Sequence, residues 1–161
     1  MGGKKHDGKR VTGDEARELF EQIRSQIGTN YSELAGSYRR GRPTCGDLDI
    51  VIVIGEGNTE FDAFCLGNFG TLKNGKIART GLVDGVQVEF YIATPANWGT
   101  NLQMWTGSAF HNIKLRRLAK DKGYSMSQYG FKNTAGHLVT CTTETAVYDF
   151  LELPFVAPER R

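Results

Sequence analysis

Most of the structural information in this chain lies in Cys45-Gly46-Asp47-Leu48-Asp49-Ile50-Val51-Ile52-Val53-Ile54. The apolar, β-branched run at 50–54 stands between glycines and predicts a buried strand. Residues two apart on a strand project from one face, so the Asp47 and Asp49 carboxylates are expected to meet. The two carboxylates repel each other unless a cation neutralises them. Hard oxygen ligands of this kind suit Mg²⁺ or Mn²⁺. The alternative is a solvated strand end in which both aspartates only cap or turn.

Composition predicts a globular protein of modest size. The 161 residues, 39% of them hydrophobic, suffice for one compact domain or two small subdomains. The three cysteines, Cys45, Cys65 and Cys141, are widely spaced, which argues against a disulfide framework or a zinc site and favours a reducing compartment. The sequence has neither a run long enough to span a membrane nor a secretory signal, so we expect a soluble, intracellular protein without a membrane partner.

Basic residues are clustered although the formal net charge is only +2. The clusters lie at the N-terminus, in one later segment and at the C-terminus: Lys4, Lys5, Lys9 and Arg10; Lys114, Arg116, Arg117, Lys120 and Lys122; Arg160 and Arg161. Such local clusters suit a polyanionic partner, and the alternative for each is a solvated face.

Spacing and turn residues predict mixed helices and strands. A mobile basic arm over 1–11 is expected before the first helix. Helices are predicted at 12–27, 59–69, 95–105, 107–122 and 143–151, and strands at 31–38, 47–54, 71–80 and 86–93, with a Gly/Arg loop at 39–46, a turn at 55–58 and short strands within 123–141. The last two long strands are joined at Val83-Asp84-Gly85, a hairpin signal. The expected buried residues are Ala16, Leu19, Phe20, Ile23 and Ile27 on the first helix and Phe110, Ile113, Leu115 and Leu118 on the helix at 107–122.

A second motif, Gly36-Ser37-Tyr38-Arg39-Arg40-Gly41, lies shortly before the aspartate pair. Its turn offers backbone N–H groups and a hydroxyl to an anion, and two arginines add guanidinium forks that suit phosphate oxygens. Next to metal ligands, such phosphate donors provide what nucleotidyl transfer requires. A surface turn is the alternative for the motif taken alone.

Together, Gly-Ser-x-Arg-Arg-Gly and Gly-Asp-x-Asp resemble the signature of the polymerase β-like nucleotidyltransferase superfamily, and specifically the family X DNA polymerases. The resemblance continues through Trp105-Thr106-Gly107-Ser108, the segment from His111 to Arg116 and the Pro-rich ending at 153–161. It covers roughly residues 30–161.

The resemblance implies an α+β fold made of a nucleotidyltransferase palm, with a mixed sheet and flanking helices, and a small α/β thumb. We place the palm at 12–104 and the thumb at 105–161, after the arm at 1–11. Since little sequence precedes the Gly-Ser motif, the expected protein is a minimal palm-plus-thumb form, similar to a reduced viral enzyme.

The resemblance also implies residue roles. Asp47 and Asp49 would bind two Mg²⁺ or Mn²⁺ ions, and Glu89 would be the third catalytic carboxylate and metal ligand, where the family has aspartate. An exposed strand residue is the alternative for Glu89. The implied nucleotide-binding residues are Gly36, Ser37, Arg40, Gly46, Trp105, Gly107, Ser108 and Asn112, and the implied DNA-binding residues are Lys114, Arg116, Arg117 and Lys120.

The implied function is metal-dependent DNA polymerase activity, with gap-filling repair synthesis on gapped or primer-template DNA from dNTPs by a monomeric enzyme. Met104-Trp105 at the sugar-gating position leaves the choice between dNTP and NTP open. One alternative is a template-independent nucleotidyltransferase acting on a nucleic-acid end or a small acceptor. Another is a nucleotide- or DNA-binding protein without catalysis.

Overall fold

The computed structural model describes residues 8–29, 31–69 and 78–161. The parts of the predictions that fall on 1–7, 30 and 70–77 lie outside the described residues, including most of the arm and the start of the strand predicted at 71–80. The strands are β1 (Val11–Thr12), β2 (Ser32–Leu34), β3 (Thr44–Cys45), β4 (Asp47–Val53), β5 (Ala78–Val83), β6 (Val86–Ala93), β7 (Tyr124–Ser127), β8 (Gly130–Asn133) and β9 (Leu138–Val139). The helices are α1 (Gly13–Gln26), α2 (Gly36–Arg39), α3 (Thr59–Phe69), α4 (Trp98–Thr106), α5 (Ala109–Asp121) and α6 (Glu144–Phe150).

The main sheet has the mixed strand order β2-β4-β6-β5. Strand β4 runs parallel to β6 and antiparallel to β2, and β5 is antiparallel to β6. The β4–β6 register places Asp47 beside Gln87 and Asp49 beside Glu89. This register confirms that Glu89 lies on the strand next to the aspartate pair.

Both faces of β4 are covered, as its apolar run predicts. Leu48, Ile50 and Ile52 belong to a core shared with α1 and α3, whereas Val51 packs with Tyr91 and residues of α4 on the other face. Since side chains alternate along a strand, the two aspartates begin the face that α4 covers.

Helix α1 begins where the sequence predicts. The Thr12 hydroxyl accepts from the Glu15 N–H and the Glu15 carboxylate accepts from the Thr12 N–H, which forms a capping box. The residues predicted to be buried on this helix are buried: Ala16, Leu19, Phe20, Ile23 and Ile27. The end of the predicted mobile arm, however, is tied to the rest of the fold, because the Lys9 N–H donates to the Gly85 carbonyl and buried Val11 pairs with Cys45.

The strand predicted at 31–38 is wrong in its second half. Strand β2 ends at Leu34, and the chain turns into the short helix α2 at Gly36. Gly36 has a φ of +56°, and a Cβ there would lie 1.9 Å from Asp49 Oδ2. Glycine is therefore needed both for the backbone conformation and for the close approach of Asp49.

The buried face predicted for α5 is partly wrong. Phe110 and Ile113 are 81% and 62% exposed, while Leu115 is buried as predicted and Leu118 is partly buried. The core-facing side is instead set by His111, Leu115 and Ala119, which recur every four residues.

The predicted thumb has its own core between α5, the β7-β8-β9 sheet and α6. Helix α4 joins this unit to the palm: Leu102 packs against the palm sheet, and Gly99 approaches Thr143 so closely that a Cβ would lie 2.1 Å from its backbone. The helix runs through the predicted boundary at 104/105, which stays a prediction.

Within the described ranges, none of the helices combines the length and the apolar character that crossing a bilayer requires.

Candidate active site

One cavity of about 440 Å³ brings the two sequence motifs together. It lies where the starts of α2 and β4 face the end of α4 and the start of α5. Its lining residues are Arg10, Gly36, Ser37, Arg40, Gly46, Asp47, Asp49, Met104, Trp105, Gly107, Ala109 and Asn112. Of the predicted nucleotide-binding residues, only Ser108 is not among them: its hydroxyl caps α5 by accepting from the His111 N–H.

The acidic part of the cavity is fixed by the β2–β4 pairing. The Asp49 carbonyl accepts the Ala35 N–H at 2.8 Å, which holds the start of α2 against the aspartate strand. Ser37 and Arg40 therefore line the same cavity as Asp47 and Asp49. The groups predicted to bind phosphate and metal are thus neighbours in space as well as in sequence.

Arg40 supplies the cavity with an incompletely satisfied cation. Its Nη1 donates to the Thr106 carbonyl, but within the described part of the chain its Nε has no hydrogen-bond partner. Burial and repulsion from Arg42 lower the Arg40 pKa, against the attraction of Asp49 and Asp47. An anion in the cavity would relieve both penalties.

Arg39, the other arginine of the motif, does not serve the cavity. Its guanidinium donates to both Glu144 oxygens at 2.9 and 2.7 Å, to Glu33 at 3.1 Å and to the Thr106 hydroxyl at 2.9 Å. Glu144 also accepts from Arg161 at 2.6 Å. Of the two arginines whose forks suit phosphate, Arg39 donates to protein carboxylates, and Arg161 of the C-terminal basic cluster also pairs with Glu144.

Glu89 is buried, 4% exposed, so the alternative of an exposed strand residue is wrong. Its Oε1 accepts from the Gln87 amide at 2.7 Å and its Oε2 accepts from the Tyr91 hydroxyl at 2.6 Å. Burial, the charges of Asp49 and Glu89, and hydrogen bonds to both carboxylates raise the Tyr91 pKa, so this phenol stays protonated and donates. Glu89 does not line the cavity.

The donor set fits a divalent cation in part. Asp47 and Asp49 present hard carboxylate oxygens to the cavity, as Mg²⁺ or Mn²⁺ requires. Among the described residues, however, no three His, Cys, Asp or Glu side chains are grouped so that they could hold a metal. Glu89, the predicted third carboxylate, accepts hydrogen bonds from Gln87 and Tyr91.

The Trp105 and Asn112 side of the cavity is held by stacking and hydrogen bonds. The Trp105 ring stacks on Tyr91 with centroids 3.6 Å apart, and its Nε1 donates to Asn101 at 3.2 Å. Asn112 accepts from Gln103 at 2.9 Å and donates to the Met104 carbonyl at 2.7 Å, which fixes its amide against α4. Tyr91 therefore links Trp105 to the carboxylates.

Arg10 is a lining residue that sequence reasoning assigned to the arm. Its guanidinium donates to the Thr44 hydroxyl at 3.0 Å and to the Thr44 carbonyl at 3.1 Å. The Thr12–Glu15 capping box is the sequence signal that bears on Arg10. It marks the start of α1, and Arg10 comes directly before the strand β1 that leads into this helix.

The predicted DNA-binding residues lie on α5 beyond the cavity. Lys114, Arg116, Arg117 and Lys120 are exposed, and Arg116 and Lys120 line a separate cavity against the thumb sheet. His111 is 8% exposed and its Nε2 lies 2.8 Å from the Tyr148 hydroxyl, so it belongs to the thumb core.

Comparison with known families gives two matches that together span nearly the whole chain. The family model for the DNA polymerase beta palm matches residues 10–109, and the model for the DNA polymerase beta thumb matches residues 101–161. The two matches overlap across the predicted domain boundary.

Curated relatives are similar over most of this chain. It is 30% identical over 167 residues to the DNA polymerase/3′-5′ exonuclease PolX of Bacillus subtilis (strain 168), covering 91% of the chain and 27% of that protein. It is 28% identical to DNA polymerase lambda of Arabidopsis thaliana, covering 94% and 36%, and 28% identical to DNA polymerase lambda of Rattus norvegicus, covering 94% and 33%. The chain therefore spans between 27% and 36% of the length of these relatives.

Proposed function

This chain belongs to family X of the DNA polymerases, and we propose that it adds dNTPs to a primer 3′-hydroxyl and fills short gaps in DNA as a monomer. One observation carries the proposal: a single cavity presents Ser37 and Arg40 beside Asp47 and Asp49. Those residues divide into groups for phosphate and groups for metal, as nucleotidyl transfer requires.

The reaction exchanges one phosphorus–oxygen bond for another. The primer 3′-oxygen bonds to the α-phosphorus, the bond from that phosphorus to the bridging oxygen breaks, pyrophosphate leaves and the hydroxyl proton is released. Ser37 and Arg40 would bind the oxygens of the leaving pyrophosphate, because Arg40 has donor capacity to spare.

Family X polymerases generally use divalent metals, which when bound would supply Lewis-acid stabilisation of the phosphate charge. Asp47 and Asp49 would hold two such ions. Glu89 would take part with its carboxylate still steadied by Gln87 and Tyr91, since each carboxylate oxygen can accept more than one bond.

The remaining lining residues would position the nucleotide. Trp105, held by its stacking on Tyr91, would contact the sugar, and Gly107 lets Arg40 approach, because a Cβ at 107 would lie 3.1 Å from Arg40 Nη1. The cations of α5 would contact DNA phosphates, so binding would be salt-sensitive and largely independent of sequence.

Primer extension tests the proposal. Purified protein with Mg²⁺ or Mn²⁺ should extend a primer across a one-nucleotide gap, incorporating the dNTP complementary to the template. Asp49→Ala should reduce the rate about 10³-fold or more, since a metal ligand contributes several kcal/mol of transition-state stabilisation. Asp62→Ala, an exposed aspartate on α3, is the matched control. A folded protein that extends no primer with either metal contradicts the proposal.

A second candidate, nucleotide binding without turnover, is favoured by one observation. Both Glu89 oxygens accept hydrogen bonds from other residues, Gln87 and Tyr91, and no three-ligand group is present among the described residues. Metal-dependent dNTP binding in calorimetry, with no pyrophosphate released over hours, would support this candidate. Equal incorporation of all four dNTPs without template would instead indicate a template-independent transferase.

A further inference from the structure

Gln103 is a polar side chain in a place where an apolar one would pack. It lies on α4, is 0% exposed and is one of the largest fully buried side chains. Within the described part of the chain, its Oε1 has no hydrogen-bond partner. A buried oxygen without a partner destabilises a fold, whereas a methionine of similar length would bury only weakly polar atoms. Packing therefore does not explain the glutamine at this position.

The other half of the Gln103 amide holds Asn112. Gln103 Nε2 donates to Asn112 Oδ1 at 2.9 Å. Asn112 Nδ2 in turn donates at 2.7 Å to the carbonyl of Met104, the next residue of α4. The Asn112 backbone is fixed as well, because its N–H donates to the Ser108 carbonyl at the start of α5. Asn112 is therefore held by one backbone contact and two side-chain contacts, and Gln103 supplies the contact to its oxygen.

The two side-chain contacts select one orientation of the Asn112 amide. If this amide were turned over, its NH₂ group would face the Gln103 NH₂ group and its oxygen would face the Met104 carbonyl. Two donors would then meet, and so would two acceptors. The orientation with Oδ1 toward Gln103 is therefore favoured at both ends of the amide. Without Gln103, the Met104 carbonyl alone would select it.

The oriented amide presents a donor to the candidate active site. Asn112 lines the active-site cavity from α5, whereas Ser37 and Arg40 line it from the side of α2. An amide NH₂ group carries two hydrogens. Among the described residues, the Met104 carbonyl takes one of them, which leaves the second for a ligand. A nucleotide with its triphosphate on Ser37 and Arg40 would have its nucleoside toward Trp105 and Asn112.

Such a donor suits an acceptor that all four nucleotides share. A gap-filling polymerase must insert every dNTP at the same site. In the major groove the four bases differ in their donors and acceptors, whereas in the minor groove purines present N3 and pyrimidines present O2, which are both acceptors. A donor placed there would strengthen the binding of each dNTP without selecting among them. An oxygen in its place would repel the same acceptor.

We propose that Gln103 is a positioning residue for nucleotide binding: by holding Asn112 Oδ1, it keeps Asn112 Nδ2 turned toward the N3 or O2 acceptor of the incoming dNTP. This proposal rests on the proposed polymerase function. Gln103 is not among the residues that line the cavity, so it acts through Asn112. The buried Oε1 is the consequence of placing an amide behind Asn112.

Nucleotide analogues test the proposal. The full chain, with Mg²⁺, is bound to DNA with a one-nucleotide gap opposite cytosine and a dideoxy-terminated primer, so that nothing is inserted. The Kd is measured for dGTP, for 3-deaza-dGTP, which lacks the ring N3, and for 7-deaza-dGTP, which lacks N7. Relative to dGTP, the Kd should rise about tenfold for 3-deaza-dGTP, as expected for one lost hydrogen bond, and stay within about twofold for 7-deaza-dGTP. The first of these ratios is the 3-deaza penalty.

Variants of α4 and α5 locate the effect. Gln103→Met keeps the length of the side chain but removes the amide, so the 3-deaza penalty should fall below about threefold. Asn112→Ala should remove the penalty too, and adding Gln103→Met to Asn112→Ala should change it no further. Thr100→Val, a polar-to-apolar change at another buried position of α4, is the matched control and should keep the tenfold penalty. Because the penalty is a ratio of two affinities in one protein, partial unfolding cancels from it.

Equal affinity of the wild type for dGTP and 3-deaza-dGTP overturns the proposal. So does a penalty that survives Gln103→Met, and if the melting temperature of that variant is also lower, Gln103 has a structural role only. Extension of an ordinary primer across the same gap, measured in parallel, separates the two hypotheses. Normal extension with an unchanged penalty refutes only the role of Gln103. A penalty that Gln103→Met removes, in a protein that extends no primer, refutes only the polymerase function and supports the role of Gln103 in nucleotide binding.

Discussion

Arg39 and Arg40 are adjacent in the chain, but their surroundings are opposite. Burial by itself would lower the Arg39 pKa, yet hydrogen bonds and charge attraction from Glu144 and Glu33 raise it. For Arg40, burial and repulsion from Arg42 lower the pKa although Asp49 and Asp47 are close. One arginine is fully compensated by the protein, whereas the other keeps donor capacity for a ligand.

The two arginines of this motif are therefore expected to have different roles: Arg39 stabilises the fold, and Arg40 binds a ligand. Arg39, Glu144 and Arg161 form a junction cluster that ties α2 to the thumb, with the Arg161 guanidinium also 5.4 Å from the Tyr148 and Phe155 ring centroids. In contrast, the Arg40 Nε is buried without a hydrogen-bond partner in the described part of the chain. Substitutions in the junction cluster should therefore change stability, and substitutions around Arg40 should change ligand binding and rate.

The largest stability effect is expected for Glu144→Ala. Glu144 is 8% exposed, and its removal leaves the partly buried Arg39 and the buried Arg161 side chain without their shared carboxylate. Breaking a buried ion pair in this way costs about 3–5 kcal/mol. Urea unfolding should give this loss in the free energy of unfolding.

Glu33→Ala is the matched control, since Glu33 also pairs with Arg39 but its side chain is 47% exposed. It should cost under about 1 kcal/mol. Equal losses in the free energy of unfolding would refute the idea that Glu144 stabilises the fold more than the exposed Glu33 does.

The next effect is on rate. Arg40→Ala should lower kcat/KM for the dNTP by about 10²–10³-fold, the cost of removing one preorganised donor to developing charge. Its stability should fall by only about 1 kcal/mol, since one hydrogen bond to Thr106 is lost. Steady-state kinetics and thermal unfolding give both values.

Arg42→Ala removes an exposed neighbour of Arg40 and should leave kcat/KM within a few-fold. If Arg40→Ala unfolds the protein while its turnover per folded molecule is unchanged, Arg40 is a structural residue like Arg39 and the contrast between them fails.

Much of the palm could be predicted from sequence, because its signals are local. The alternation around Asp47 and Asp49, the Asp84-Gly85 turn and the apolar spacing of α1 each depend on a few neighbouring residues. The position of Glu89 opposite Asp49, in contrast, came from family resemblance. No local pattern specifies a parallel register.

The remaining features depend on distant partners. Arg39 and Arg40 point in different directions because successive helical residues turn by about 100°, and the partner that separates them, Glu144, is 105 residues from Arg39. Likewise, the buried face of α5 depends on Tyr148, which is 37 residues from His111. Helical spacing predicts that such a face exists but not which residues form it.

A smaller effect, on metal affinity, is expected from the residue that hydrogen-bonds Glu89. Tyr91→Phe keeps the ring on Trp105 but removes the hydroxyl that donates to Glu89. Without that donor, Asp49 and Glu89 repel each other more and are less well oriented. Affinity for Mn²⁺, measured by calorimetry, should therefore fall about tenfold, as for other hydrogen-bond partners of metal ligands.

Tyr31→Phe, which keeps the Tyr31–Trp98 ring contact, is the control and should leave Mn²⁺ affinity unchanged. Tighter Mn²⁺ binding by Tyr91→Phe would mean that Tyr91 holds Glu89 away from the metal, which is the opposite of a positioning role.

The smallest effect is a pH dependence on the thumb side of the junction cluster. Burial, together with the positive charges of Arg161 and Lys114, lowers the His111 pKa against the attraction of Glu144. Because the unfolded chain then binds the proton more readily, neutral His111 contributes stability above its ordinary pKa of about 6.5, and this contribution is lost as the pH falls through the lowered value. The melting temperature should therefore fall between pH 7 and pH 5 more in the wild type than in His111→Gln. His137→Gln, at an exposed site, should keep the wild-type slope, and parallel slopes for all three proteins would mean that His111 is not coupled to folding.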